Sequence, residues 1–281
     1  MSRDDILNRE ATVNGIQIHY KIAGGGSPLL LLHGSPLTSR SWLRIMPALA
    51  KTHTVIAPDF RGYGQSKKPE RGYEVQTMVE DLRQLLDQLG MNSVDIVGHD
   101  LGGIVAYVYA AKHGDQVSRL GIIEAPMVGV PSPTMQAVLA SYWHIGFYAH
   151  PRLPELLITG REREYLAEFI RTYQYKRDAF SKEDLDEYAH HLASPDGLRG
   201  ALGVYRAIAA EAPDLVQLTN TRLTMPVWAV GGDQSMGIGP FEQFQRLAES
   251  VKGGVIDDCG HWIIEEQPTR FLKDLEQFLR E

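Results

Sequence analysis

The chain has 281 residues, 43% of them hydrophobic and 22% charged, enough to bury one large core and to carry an inserted subdomain. Its formal charge of -7 comes from acids spread along the sequence, with no block of Lys or Arg to track phosphates, which argues against a nucleic-acid partner. The longest apolar runs, such as PLLLLHG, fall far below the roughly 18 residues of a bilayer span, the opening MSRDDILNRE has no apolar signal core, and the single cysteine, Cys259, excludes an intrachain disulfide and suits a reducing compartment, so a soluble cytoplasmic protein without membrane association is expected.

In chain order, ATVNGIQIHYKIAG alternates about Asn14-Gly15 and predicts a β-hairpin. Gly24-Gly25-Gly26 is a bare loop without the flanking pattern that phosphate binding requires. Near-continuous apolar runs at 29–33, 53–59, 94–98, 120–125 and 226–232 predict strands buried on both faces. Helical patterns fall between them at 41–50, 76–89 and 101–113, and the theme repeats with a strand at 253–258 and a helix at 267–280. This is an α/β pattern, a mostly parallel central sheet with helices on both faces. From 130 to 213 no apolar strand appears and the pattern is helical, so a helical cap over 130–213 is expected between core parts 1–129 and 214–281.

Three strand ends carry the chemistry. VDIVGHDLGGIVAY runs from a buried strand through Gly98-His99-Asp100-Leu101-Gly102-Gly103 into a helix, the pattern of a strained turn that projects its middle side chain, here Asp100. The ordinary job of an Asp at such a turn is to cap the helix, so this motif leaves two readings open. LLLLHGSP ends the first long buried strand where the backbone N–H of Ser35 could pair with that of Leu101 as an oxyanion hole. GIIEAP puts Glu124 at the end of the next strand, and DDCGHW puts His261 in a glycine-flanked loop before the last helix. An isolated His or Glu there is usually structural, but a nucleophile, an acid and a histidine on one sheet edge meet the demands of a catalytic triad.

With HGSP (33–36), DFRGYGQS (59–66), GHDLGG (98–103) and GHW (260–262) in this order, the whole chain resembles the α/β-hydrolase superfamily, and within it the aspartate-nucleophile branch of epoxide hydrolases and dehalogenases. The resemblance implies that Asp100 is alkylated and that a water deprotonated by His261 opens the ester, with Glu124 orienting the imidazole. Many relatives carry the supporting acid after the strand here read as PVWAVGG, where Gln234 or Ser235 stands and Asp233 lies slightly early; Glu124 matches a subgroup's placement, and Asp233 is the alternative acid. Asp59, Arg61, Gly62, Gly64 and Ser66 are assigned to the floor of the site as a buried Arg–Asp loop network.

The leaving group depends on the cap. The family protonates an epoxide oxygen from two tyrosines or from a histidine and a tyrosine. By resemblance, Tyr205 in GALGVYRAI is the second donor and His144 in YWHIGF the first, with Tyr142 and Tyr148 as rivals. Trp143, Tyr142, Tyr148 and Trp262 are the expected substrate contacts, and Phe147 is expected to pack. The implied function is hydrolysis of an uncharged epoxide to a vicinal diol with water, without metal or cofactor. Adjacent His190 and His191 point about 100° apart on a helix and suit no metal, and Cys259 is read as a packing residue.

The alternative is a haloacid or haloalkane dehalogenase. Haloalkane dehalogenases carry a Trp after the nucleophile and a donor in the first loop, where this chain has Leu101 and Ser35. Fluoroacetate dehalogenases share the Trp/His pair and the later Tyr but carry arginines after the nucleophile, and DLGGIV has none. The Leu101-Gly102-Gly103-Ile104 wall favours an apolar substrate. A non-catalytic ligand-binding member would usually lose the nucleophile or the histidine, and this chain keeps both. The sequence leaves a homodimer open.

Overall fold

A computed structural model describes residues 5–281. Its hairpin pairs β1 (Leu7–Val13) with β2 (Ile16–Ala23). Asn14 and Gly15 both take positive φ, 45° and 77°, as a two-residue turn matched to strand twist requires. Six further strands follow: β3 (Ser27–Leu32), β4 (His53–Pro58), β5 (Val94–His99), β6 (Val117–Ile123), β7 (Val227–Gly232) and β8 (Val251–Ile256). They form one sheet in the order β1-β2-β4-β3-β5-β6-β7-β8. β2 is antiparallel to β1 and β4, and all ladders from β4 onward are parallel.

The helices are α1 (Met46–Leu49), α2 (Val75–Gln88), α3 (Leu101–Lys112), α4 (Pro133–Ser141), α5 (Trp143–Ala149), α6 (Leu153–Ile158), α7 (Glu162–Tyr173), α8 (Lys182–Ala193), α9 (Gly197–Leu218), α10 (Gly239–Leu247), α11 (Ile263–Glu266) and α12 (Pro268–Arg280). α2, α3 and α10 cover one face of the sheet, where Leu82, Val105 and Phe244 join Leu30 and Ile96. α1, α11 and α12 cover the other, where Met46, Ile263 and Phe271 meet Leu29 and Leu31. The unbroken apolar runs of the central strands thus have a layer on each side. α4 to α9 lie between β6 and β7, and part of them forms its own core around Leu166, Phe169, Ile170 and Tyr188.

Two helices differ from their expected form. The segment expected as a helix over 41–50 is a 3-10 turn, Ser39–Arg44, followed by the short α1, because Pro47 has no N–H to extend a preceding helix and fits only in a first turn. In the opposite sense, α9 runs through Pro213 to Leu218, past the end expected at Pro213. Proline frees the carbonyl four residues back, and Ala209 lies on an exposed stretch where water can serve it.

The loop after β4 also differs from the expected Arg–Asp network. Asp59 accepts from the Ser39 N–H at 2.7 Å and the Gln65 N–H at 3.0 Å, and its other contact is the His19 imidazole at 2.9 Å. These contacts hold its carboxyl far below the ordinary range although burial pushes the other way. Gly64 has φ 50°, and an added Cβ would stand 2.2 Å from Asp59 Oδ2. Ser66 donates to the Asp59 carbonyl at 2.6 Å. Arg61 turns instead to Asp81 of α2, with Nε at 2.6 Å and Nη2 at 2.5 Å, and donates Nη1 to the Gly72 carbonyl at 2.8 Å. Both members of the pair are 4% exposed. Removing one partner strands a buried charge, so Arg61→Met should lower stability by about 3–5 kcal/mol. Urea denaturation should also find that adding Asp81→Leu recovers part of the loss.

Candidate active site

The elbow after β5 is tight for a reason the neighbouring atoms make plain. Asp100 has φ 52° and ψ -118°, a strained conformation for a residue with a side chain. A Cβ on Gly98 would stand 2.1 Å from the Gly102 carbonyl oxygen, and one on Gly102 would stand 2.2 Å from that of Leu32. The turn can therefore close only with glycine at both positions. Asp100 sits at the N-cap position of α3, yet its side chain makes no cap bond. Its Oδ1 accepts the Ser35 N–H at 2.9 Å, and the Leu101 N–H also donates to the carboxylate. The two amides expected to act together thus converge on Asp100.

His261 lies in the loop between β8 and α11. Its Nδ1 is 2.8 Å from Glu124 Oε2, and its Nε2 is 3.7 Å from Asp100 Oδ2. A carboxylate partner assigns the proton to Nδ1 and leaves the Nε2 lone pair facing Asp100. Glu124 is fully buried, with φ 48°. It is supported by the Gly232 N–H at 2.7 Å, the Met236 N–H at 3.2 Å and the Ser235 hydroxyl at 2.7 Å. Asp233 does not reach His261: it accepts the Cys259 N–H at 2.9 Å and the Gln234 amide at 3.1 Å. Ser235 thus serves the acid without replacing it, and Cys259 is buried with its thiol pushed well up by burial.

The charges oppose one another across this gap. Burial disfavours the charged imidazole of His261, but the Glu124 hydrogen bond, the Glu124 charge and the Asp100 charge outweigh it, and the His261 pKa is raised. Burial raises the Asp100 carboxyl against the pull of His261 and the two amides.

Above Asp100 opens a cavity of about 680 Å³. Its polar lining includes Asp100, Tyr142, His144 and Tyr205, with Ser132, Gln136 and Gln243 farther round, and much of the remainder is apolar, including Ile104, Met127, Val130, Met135, Leu139 and Ile208. Among the described residues, those lining it include no lysine or arginine. His144 is buried, with Nδ1 2.7 Å from the Tyr173 hydroxyl, and burial followed by the His261 charge lowers its pKa to about 4. The Tyr205 hydroxyl resists ionisation, first through burial and then through the Asp100 charge. Tyr142 reaches Ser235 Oγ at 3.4 Å, and its ring stands edge-on to His261 at 6.4 Å.

The other expected contacts lie elsewhere. Trp143 is 48% exposed and packs on Phe147, outside the cavity lining. Tyr148 bonds the Tyr165 hydroxyl and packs behind Tyr205, also outside the lining. Trp262 is fully buried, donates Nε1 to the Ile170 carbonyl at 3.0 Å and packs against the His261 ring. A helix turns successive side chains by about 100°, so a cluster of aromatics in sequence cannot all face one cavity.

Two residues near the site escaped the sequence reading. Tyr63 donates to Ser35 Oγ at 3.0 Å and lies within the DFRGYGQS motif, which was a usable signal. Tyr173 ends α7 without any motif. Among the described residues, no helix is long and apolar enough to cross a membrane.

Residues 27–268 match the model of the alpha/beta hydrolase fold family. The chain belongs to that family. It is 38% identical over 275 residues to a soluble epoxide hydrolase of Corynebacterium sp. (strain C12), covering 94% of each chain. It is 32% identical over 207 residues to a fluoroacetate dehalogenase of a Burkholderia species, covering 71% of this chain and 68% of the other. The solved structure of the epoxide hydrolase CorEH without ligand superposes with a TM-score of 0.91 at 35% identity, covering 98% of this chain and 99% of that one.

The charge balance predicts a divided histidine titration. Ring-nitrogen NMR should find His261 keeping its proton above the ordinary histidine range, while His144 stays neutral until the pH falls to about 4. Glu124→Gln should move the His261 titration to lower pH, since the larger of the charges that raise it is gone.

Proposed function

We propose that the protein is an epoxide hydrolase that opens an uncharged, apolar epoxide to a vicinal diol through an ester on Asp100. The observation that carries this reading is a carboxylate at a strained elbow with a His–Glu pair 3.7 Å away and the His144 and Tyr205 side chains on the same cavity wall. The 38% identity to a soluble epoxide hydrolase supports it.

In the first step Asp100 Oδ2 attacks a ring carbon. The new C–O bond forms as the ring C–O bond breaks, and the leaving oxygen takes the Tyr205 proton while His144 donates a hydrogen bond to it. The negative charge of Asp100 disappears as the ester forms, which removes one of the effects that hold the Tyr205 proton and makes it a better acid at that moment.

In the second step His261 Nε2 takes a proton from water, whose oxygen attacks the ester carbonyl. The Ser35 amide, already on Oδ1, stabilises the oxyanion together with the Leu101 amide at the same carboxyl. As the intermediate collapses, His261 returns its proton to the departing diol oxygen, and the proton left on the Asp100 carboxyl restores Tyr205. Epoxide and one water become one diol, and every side chain ends as it began.

Kinship to a fluoroacetate dehalogenase supports a second reading, in which the same carboxylate displaces halide. The cavity speaks against a haloacid, because among the described residues no cation lines it to hold a substrate carboxylate.

Incubation with a panel of aryl and alkyl epoxides and with haloacetates, scored for diol and for halide, separates the two. Diol from apolar epoxides is expected, and efficient halide release with no diol would overturn the proposal. Asp100→Ala should abolish turnover, and His261→Gln should accumulate protein plus one substrate by intact mass. Turnover needs neutral His261, so activity should fall on the acid side, and the raised pKa of His261 moves that limb to higher pH.

The cap donors give a further prediction. Tyr205→Phe and His144→Ala should each slow ester formation on the order of 10²–10⁴-fold, read by the rate of adduct accumulation in the His261→Gln background.

A further inference from the structure

Resting on that reading, we infer that Tyr173 is a positioning residue that fixes the tautomer of His144 and registers the cap against the loop of His261. Tyr173 ends α7, and it makes two bonds in opposite directions. Its hydroxyl meets His144 Nδ1 at 2.7 Å, and its backbone carbonyl accepts the His261 N–H at 2.9 Å. One residue therefore touches both histidines, the one in the core and the one in the cap.

The direction of the hydroxyl bond follows from its chemistry. Burial pushes the Tyr173 phenol up to about 12, so it keeps its proton, and burial keeps His144 neutral. Among the described residues, His144 Nδ1 is the hydrogen-bond partner of this hydroxyl. Giving the phenolic proton to the Nδ1 lone pair satisfies both atoms, whereas a proton on Nδ1 would leave the phenolic proton without that acceptor. His144 then carries its own proton on Nε2, on the ring edge away from Tyr173. That is the form able to donate to an oxygen in the cavity. Without Tyr173 the two tautomers compete, and in one of them the edge facing away from Nδ1 is an acceptor that would repel a developing alkoxide.

The segment that carries Tyr173 is itself fastened to the base loop. Glu266, 4% exposed, accepts the Tyr175 and Lys176 N–H groups at 2.9 Å each, the Gly260 N–H at 3.1 Å and the Trp262 N–H at 3.2 Å. Trp262 Nε1 adds its bond to the Ile170 carbonyl on the last turn of α7. One buried carboxylate thus binds the end of α7 to both neighbours of His261, which sets the height of His144 above Asp100 without touching substrate. Charge-assisted bonds of this kind are stronger than neutral ones and suit a fixed junction.

Tyr173→Phe removes the hydroxyl while keeping the ring contacts with Tyr142 and Phe169 and the carbonyl bond to His261. In the His261→Gln background, where only ester formation is read, adding Tyr173→Phe should slow adduct accumulation by roughly 10- to 100-fold, the scale of a misplaced reacting group. With native His261, hydrolysis of a preformed ester should keep its rate, and the thermal unfolding midpoint should fall only by the small amount that the loss of one buried hydrogen bond implies, with the protein still folded at the assay temperature. Ring-nitrogen correlation spectra should find His144 protonated on Nε2 in the unsubstituted protein and on a mixture of both nitrogens after Tyr173→Phe. An Nδ1 proton in the unsubstituted protein, an unchanged rate of ester formation, or an equal loss in both chemical steps would overturn the inference. The spectra need no substrate, so if His261→Gln accumulates no ester with any epoxide, the epoxide reading falls while the tautomer still decides the role of Tyr173.

Discussion

A carboxylate held at positive φ, with the Ser35 amide on one oxygen and a histidine beyond the other, is the constraint on which the rest of this structure depends. The strain at Asp100 is tolerated because the turn is tightly packed beneath the cavity: glycines at 98 and 102 let β5, α3 and the end of β3 approach to distances that a side chain would forbid. The same approach brings the Ser35 amide onto Oδ1 and the Leu101 amide to the same carboxyl. A geometry that costs backbone strain therefore also supplies the donors, and neither feature could be moved without the other.

The second constraint is electrostatic. Asp100 and Glu124 place two carboxyl groups in a buried site, and a single imidazole stands between them. Glu124 is well served, with three donors besides the imidazole, and its Oε2 faces Nδ1 of His261. Asp100 has fewer partners and a cavity on one side, which is the condition of a group meant to react. His144, on the far wall of the same cavity, feels His261 as an added cost and stays neutral. Burial is the largest single influence on Asp100, His144, Tyr205 and His261, and the neighbours' charges decide the outcome at His261.

The cap is tied to this arrangement at the end of α7. Most of its apolar surface packs within itself or on the elbow side of the sheet, but the bonds from Tyr173, Ile170 and the Glu266 junction run to the His261 loop. A cap fastened there can only offer its donors at one height above the carboxylate. The apolar remainder of the cavity, formed by the segment after Glu124 and by α4 and α9, is free of that requirement and can vary with the substrate.

Much of this was legible in the residues. Alternation around Asn14-Gly15, apolar runs of strand length and the glycines around Asp100 are local signals, because turn geometry, burial on two faces and close backbone approach act within a few residues. They identify the strands, the elbow and the ends at which Ser35, Glu124 and His261 emerge. What they leave undecided is which of two acids meets a histidine 137 positions away from one of them, a question of how two loops converge. The same holds for the cap, where Trp143, Tyr148 and Trp262 share the composition of true cavity residues and pack elsewhere, while Tyr173, with no motif around it, meets His144. Nor could the partner of Arg61 be read from its own loop, since Asp81 lies on a helix 20 positions on. The chain by itself determined the sheet, the turn and the chemical kinds of its site. Tertiary structure alone decided the pairings, because a hydrogen bond between distant segments depends on distances of tenths of an ångström that no local pattern encodes.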